Sequence, residues 1–139
     1  MYPFAHIGIA LLFARLLQRR LKLRNFRLVA LGSMLPDLID KPLTLIGIGS
    51  GRFVAHSMLF TIAVALLSRE VGFGCVMHLL LDRIWEEPRV LFFPLLGLPP
   101  TKPHTIYDFI RILLTNRTVQ MGEFVGLVCL VIYKRVKPI

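Results

Sequence analysis

Five apolar runs of roughly 12 to 17 residues follow one another along this chain, separated only by short charged or proline-rich breaks. Small domains bury the smallest fraction of their surface. A chain of 139 residues that is 55% hydrophobic, with a mean hydropathy of +0.68, carries more apolar surface than an aqueous fold of this size can hide. Lipid is the solvent that suits it.

The runs predict helices over Phe4 to about Leu17, Phe26 to about Ile39, Arg52–Ser68, Val71–Asp82 and Val119–Tyr133. Pro36 and Pro42 are expected to end the second of these, because proline removes a helical hydrogen bond and crowds the preceding turn. The glycine-rich stretch 43–51 reads as a turn or a partly re-entrant loop, and Arg69-Glu70 as a hairpin connection. Beyond residue 83 the chain is polar up to Arg89, apolar but interrupted by Pro94 and Gly97 up to Leu98, and then a stiff loop that contains His104. Ile106–Leu114 reads as a short amphipathic helix with Asp108 and Arg111 on its polar side. The expected fold is all-α: one integral membrane domain over 1–139, with about five short transmembrane helices and one amphipathic helix. Such runs are short for a hydrocarbon core that takes about 20 residues, so flanking turns, snorkelling cations or local thinning are needed.

The net charge of +9 comes in blocks. Arg15, Arg19, Arg20, Lys22, Arg24 and Arg27 lie between the first two runs, and Lys134, Arg135 and Lys137 follow the last. Blocks that flank apolar segments set orientation in a membrane, and this disfavours a nucleic-acid partner. With the first block cytoplasmic, five crossings place the N-terminus outside and the C-terminus inside. The cytoplasmic side then holds 10 basic residues and one acid, Glu70, while the far side holds seven of each and all four histidines. The histidines were no part of the orientation argument. Cys75 and Cys129 have no metal-site spacing and read as small thiols within apolar runs. The first run lacks a basic leader and a small-residue cleavage pattern, so it is expected to be retained.

On the far side the polar groups form a metal-ligand inventory. His78 and Asp82, four residues apart, share a helix face. His6, Asp37, Asp40 and His56 reach the same side from three other segments. Imidazole with carboxylate suits zinc, manganese or iron, and ionisable groups at a bilayer are usually paired or functional. Each residue also has a structural alternative. His6 can be an interfacial polar group, Asp37 and Asp40 caps beside prolines, His56 a partner of Arg52, and His78–Asp82 a buried pair. Six candidates leave room for two ions. Asp40 is a candidate ligand or general base. Glu86 is a further candidate base, with a solvated acid as its alternative. Ser57 has no base and orienting group around it, so no serine nucleophile is expected. Gly122-x-x-x-Gly126 is a candidate helix-packing face.

These motifs together resemble the YdjM-like family of predicted membrane-bound metal-dependent hydrolases. The residues that carry the likeness are His6 with Gly8, Gly-Ser-Met-Leu-Pro-Asp-Leu-Ile-Asp-Lys-Pro at 32–42, Gly51-Arg52, His56-Ser57, His78 with Asp82, Trp85-x-x-Pro88, and Phe92-Phe93-Pro94-Leu95-x-Gly97. The likeness covers residues 1–98, while 99–139 add nothing diagnostic. It implies a metal site of His6, Asp37, Asp40, His56, His78 and Asp82, and hydrolysis of a phosphoester. The His-x-x-x-Asp and Pro-Asp elements are more remotely similar to zinc-dependent phospholipase C and related nucleases, which implies a lipid head group.

The expected function is therefore a metal-dependent hydrolase of the inner cell membrane. Its site faces the non-cytoplasmic side, and its partners are the bilayer and a small-molecule or lipid substrate. The alternative is a non-catalytic membrane protein, either a metal carrier or a structural protein with a polar cluster. A carrier should place its ionisable groups near the midplane, along a path with two exits.

Overall fold

A computed structural model describes residues 3–49, 51–99 and 105–136. They form seven α-helices: α1 (Pro3–Leu21), α2 (Phe26–Leu45), α3 (Met58–Leu67), α4 (Arg69–Leu81), α5 (Pro88–Leu91), α6 (Ile106–Thr115) and α7 (Arg117–Arg135). A 3-10 turn spans Ile84–Glu86, and no strand occurs among the described residues. The amphipathic segment and the last helix lie where the sequence places them.

Three expectations need correction. Arg69-Glu70, expected as a hairpin connection, form the first turn of the fourth helix, with Ser68 alone between it and the third. The second helix does not end at its prolines but runs on to Leu45. Pro36 removes the amide that would bond the Gly32 carbonyl, and the fourth helix takes up what is released. The Gly32 oxygen accepts the Cys75 thiol at 3.4 Å, and the Ser33 oxygen, one residue on, meets His78 Nδ1 at 2.7 Å. The third helix, expected from Arg52, starts only at Met58. Residues 51–57 are a loop because the Asp40 carboxylate collects their amides: Phe53 N at 2.7 Å, Ala55 N at 3.1 Å and His56 N at 3.2 Å. Those donors are not left for a helical ladder. Ser57 then caps α3, its hydroxyl accepting Phe60 N at 3.1 Å.

The helices pair in parallel across long stretches of sequence. On α7, Gly126 meets the Gly8 end of α1, and Tyr133 lies beside Arg15. On α4, Gly74 packs on Val29 and Ser33 of α2, while His78 reaches the Ser33 carbonyl. Glycines make both crossings possible. A Cβ on Gly8 would collide with the Gly126 carbonyl oxygen, and one on Gly32 with that of Val71. Glu123, an acid inside the apolar α7, accepts Phe4 N at 3.2 Å and Ala5 N at 3.0 Å. It satisfies the free amides at the start of α1 and complements that helix's positive end. At the opposite end the Arg15 guanidinium lies 4.3 Å from the Phe26 ring centroid and 4.7 Å from that of Tyr133. There too the Arg24 amide donates to Glu70 at 3.2 Å.

The interior is unusual in what fills it. Its largest fully buried side chains are His6, His56 and His78, while Leu66 and Leu67 are 83% and 88% exposed. No helix among the described residues is long and apolar enough to cross a membrane. The reason is visible in the elements. Helices α3 and α4 have 10 and 13 residues. The longer α1, α2 and α7 carry charges in their last turns, or in mid-helix at Asp37, Asp40 and Glu123.

Candidate metal centre

Four chain segments converge on one end of the bundle. Helix α1 supplies His6, α2 supplies Asp37 and Asp40, the 51–57 loop supplies His56, and α4 supplies His78 with Asp82 at its C-cap. All six are buried. Every candidate ligand read from the sequence therefore lies in one cluster. Most of the basic block around Arg15–Arg27 lies at the other end.

The clearest geometry concerns His56 and His78. The Ser33 carbonyl can only accept, so His78 Nδ1 carries the proton and Nε2 presents its lone pair. His56 Nδ1 faces Asp40 Oδ2 at 2.7 Å, and the same reasoning leaves its Nε2 lone pair free. The two Nε2 atoms lie 3.1 Å apart. Facing nitrogens at this distance need a positive charge between them, which a metal ion or a shared proton supplies. Asp37 Oδ1 completes a triangle with them, at 3.7 Å from His56 Nε2 and 3.8 Å from His78 Nε2. Zinc–ligand bonds near 2.0–2.1 Å imply edges of about 3.3 Å between tetrahedral ligands, so the triangle is within reach of one ion after small side-chain shifts. The donor set fits a divalent metal.

Around this triangle, Asp82 Oδ2 is 3.9 Å from His56 Nε2 and 4.0 Å from His78 Nε2. Asp82 Oδ1 is 3.4 Å from His6 Nε2. The His6 ring stacks on His78 with centroids 4.0 Å apart, and its nitrogens, buried from solvent, have no well-aligned hydrogen bond. Leaving such atoms unsatisfied costs about 1–3 kcal/mol. Two groups can hold an ion, Asp37–His56–His78 and His6–His78–Asp82, with donor atoms within 4.8 Å of one another in each. They share His78, and its one available lone pair serves one ion at a time.

Two cations stand at the rim. Lys41 Nζ is 2.5 Å from Asp37 Oδ2. Arg52 bridges Asp82 Oδ2 at 3.3 Å and Glu87 Oε1 at 2.5 Å.

Several sequence expectations look different in place. The Asp40 oxygens face three backbone amides and the His56 ring, and Asp40 belongs to neither ion-holding group. Glu86 is exposed and pairs with Arg83, outside the cluster. Its neighbour Glu87, which the sequence reading passed over, is the acid tied to the site through Arg52. Ser57 is a helix cap, as its place just before an apolar run allows one to read. His104 lies outside the described residues.

No curated protein and no solved structure matches the chain. One family does, over residues 1–137, described as YdjM inner membrane protein. With the motifs in order and the match running almost end to end, the chain belongs to the YdjM inner membrane protein family.

Proposed function

We propose that this protein is a metal-dependent hydrolase embedded in the inner membrane, acting on a phosphoester, with its site at the non-cytoplasmic end of the bundle. The observation that carries the metal reading is the pair of imidazole lone pairs 3.1 Å apart, each tautomer fixed from behind by Asp40 or the Ser33 carbonyl. Carboxylate or carbonyl groups behind ligating histidines are the usual supports of metal sites.

In this reading Asp37, His56 and His78 hold one divalent ion, zinc or a related metal such as manganese or iron. Asp82 and His6 complete the surroundings. Asp40, expected from sequence as a ligand or base, instead orients His56. A bound ion supplies Lewis acidity, easing deprotonation of water and offsetting charge on a phosphoryl group. Asp82 Oδ1, 3.4 Å from His6 Nε2, is placed to take a proton from an attacking water and pass it to that ring. Arg52 and Lys41 bring positive charge to the rim, where an anionic ester arrives. Glu86, solvated and paired with Arg83, has no part in this scheme.

The membrane part rests on the family's description and on an inside-out distribution of polarity, with imidazoles within and leucines outside. Parallel α1/α7 and α2/α4 pairs are also what alternating crossings produce. The one-ended position of the cluster disfavours a carrier, which needs a path to both faces.

Metal content by mass spectrometry tests the proposal, on detergent-purified wild type beside a His78→Ala/Asp82→Ala variant. About one equivalent in the wild type and none in the variant is expected, followed by metal-dependent cleavage within a panel of phosphoesters. A folded wild type that stays metal-free after exposure to zinc and to manganese would sink the proposal.

A further inference from the structure

The segment after Asp82 has a pattern the hydrolytic reading does not use. Residues 84–98 form a 3-10 turn, the single helical turn of α5, further turns and irregular chain, too short to span anything. One side of the segment is fixed to the bundle. Ile84 and Val90 are buried with Leu79, Phe93 lies against Phe53 with ring centroids 5.0 Å apart, and Glu87 holds Arg52. The other side carries Trp85, Phe92, Leu95, Leu96 and Leu98 outward, with Trp85 52% and Leu95 85% exposed. Arg89 is exposed beside them, as is Arg83, which is paired with Glu86.

Water does not favour five large exposed apolar side chains within fourteen residues of an irregular segment, and exposed apolar surface of this kind marks interaction sites. The partner has to accept both apolar groups and cations. Tryptophan collects where one end of its ring is apolar and the other wet, and arginine pairs with phosphate groups. We propose that residues 84–98 form an apron that docks in the headgroup layer of a phospholipid bilayer, with Trp85, Phe92, Leu95, Leu96 and Leu98 dipping below the phosphates and Arg89 at their level. The apron joins the cluster through the Glu87–Arg52–Asp82 chain, so the mouth of the site opens at the membrane surface. The inference rests on the membrane part of the proposed function, not on hydrolysis.

Trp85 is the chain's only tryptophan and reports on the apron directly. In vesicles of phosphatidylglycerol and phosphatidylethanolamine, its fluorescence should be quenched strongly by lipids brominated near the headgroup end of the acyl chain and weakly by those brominated near the bilayer centre. Water-borne acrylamide should quench it several-fold less than it quenches a free tryptophan analogue. A Leu95→Asp/Leu98→Asp variant should lose most of the bromolipid quenching while keeping its metal content. Trp85 quenched fully by acrylamide would overturn the apron, as would a Trp85 shielded from both quenchers, which would mean that protein covers it. Failure of the wild type to co-sediment with vesicles would instead remove the membrane reading itself. Hydrolysis does not enter either readout.

Discussion

Asp40 is the residue whose role changed most between sequence and structure. Its position in Pro-Asp-x-x-Asp marks it as equivalent to Asp37, yet the two carboxylates do different work three residues apart. Asp37 turns one oxygen to the imidazole nitrogens and the other to Lys41. Asp40 faces away, toward a loop whose amides it gathers. Asp40→Asn keeps one acceptor oxygen and removes the charge opposite His56 Nδ1. Loss of such an outer support usually costs about 10–100-fold in metal affinity, and chelator competition on the purified variant should show a weakening of that order with the ligands intact. Spacing made the His/Asp cluster legible, because i,i+4 geometry and one-sided delivery need only helix periodicity and charge counting. The division of labour within it was not legible. It depends on where seven loop residues place their N–H groups, and backbone amides leave no trace in residue identity. Glu86 and Glu87 show the same limit: one ends the 3-10 turn and the other caps it, they pair with different arginines, and only the turn's geometry decides which reaches Arg52.

Among the elements, glycine-lined contacts and the Gly32 and Ser33 carbonyls one turn before Pro36 do the joining. The sequence shows Gly126 within a small-residue spacing, but its partner Gly8 lies at the other end of the chain. Gly126→Leu should force α1 and α7 apart. Overpacking of this kind costs about 1–3 kcal/mol, and a lowered unfolding midpoint in detergent would register it. Retention of wild-type stability would show that the crossing is looser than described. Pro36 and Pro42 misled for an instructive reason. Proline penalties assume the freed carbonyl finds no partner. At Pro36 the Cys75 thiol reaches the freed Gly32 carbonyl and His78 meets the next one, so a feature that ends an isolated helix serves this one as a docking point. The two cysteines looked uninformative in sequence, and for Cys75 this contact is the reason it is buried where it is.

The molecule as a whole separates its charges by end, and this was the most legible property of all. Counting Lys and Arg along the chain suffices to put the basic block opposite His6, His56 and His78, and the parallel helix pairs agree. Orientation in the bilayer can be read by labelling in intact cells. A cysteine placed at exposed Arg89 should react with a membrane-impermeant maleimide added from outside, and one at exposed Arg20 only after the membrane is opened, with the parent protein as background. The reverse pattern would turn the site to the cytoplasm while leaving its chemistry unchanged. Helix length was less legible, because charges within α1, α2 and α7 interrupt what composition presents as continuous apolar runs.

The contact between the first and last long helices bears on how the molecule is made. Ala5 and Glu123 are 118 residues apart in sequence. At synthesis rates of about 5–20 residues per second, Glu123 is made roughly ten seconds after Ala5. A parallel pair cannot close as a hairpin, so until then α1 has open amides at its start and a bare glycine face. The residues of the buried His/Asp cluster, all made by position 82, can assemble while that flank is still open. The last helix therefore acts as a late clasp, and a ribosome stalled before residue 123 would hold a chain with a complete His/Asp cluster and an unguarded edge.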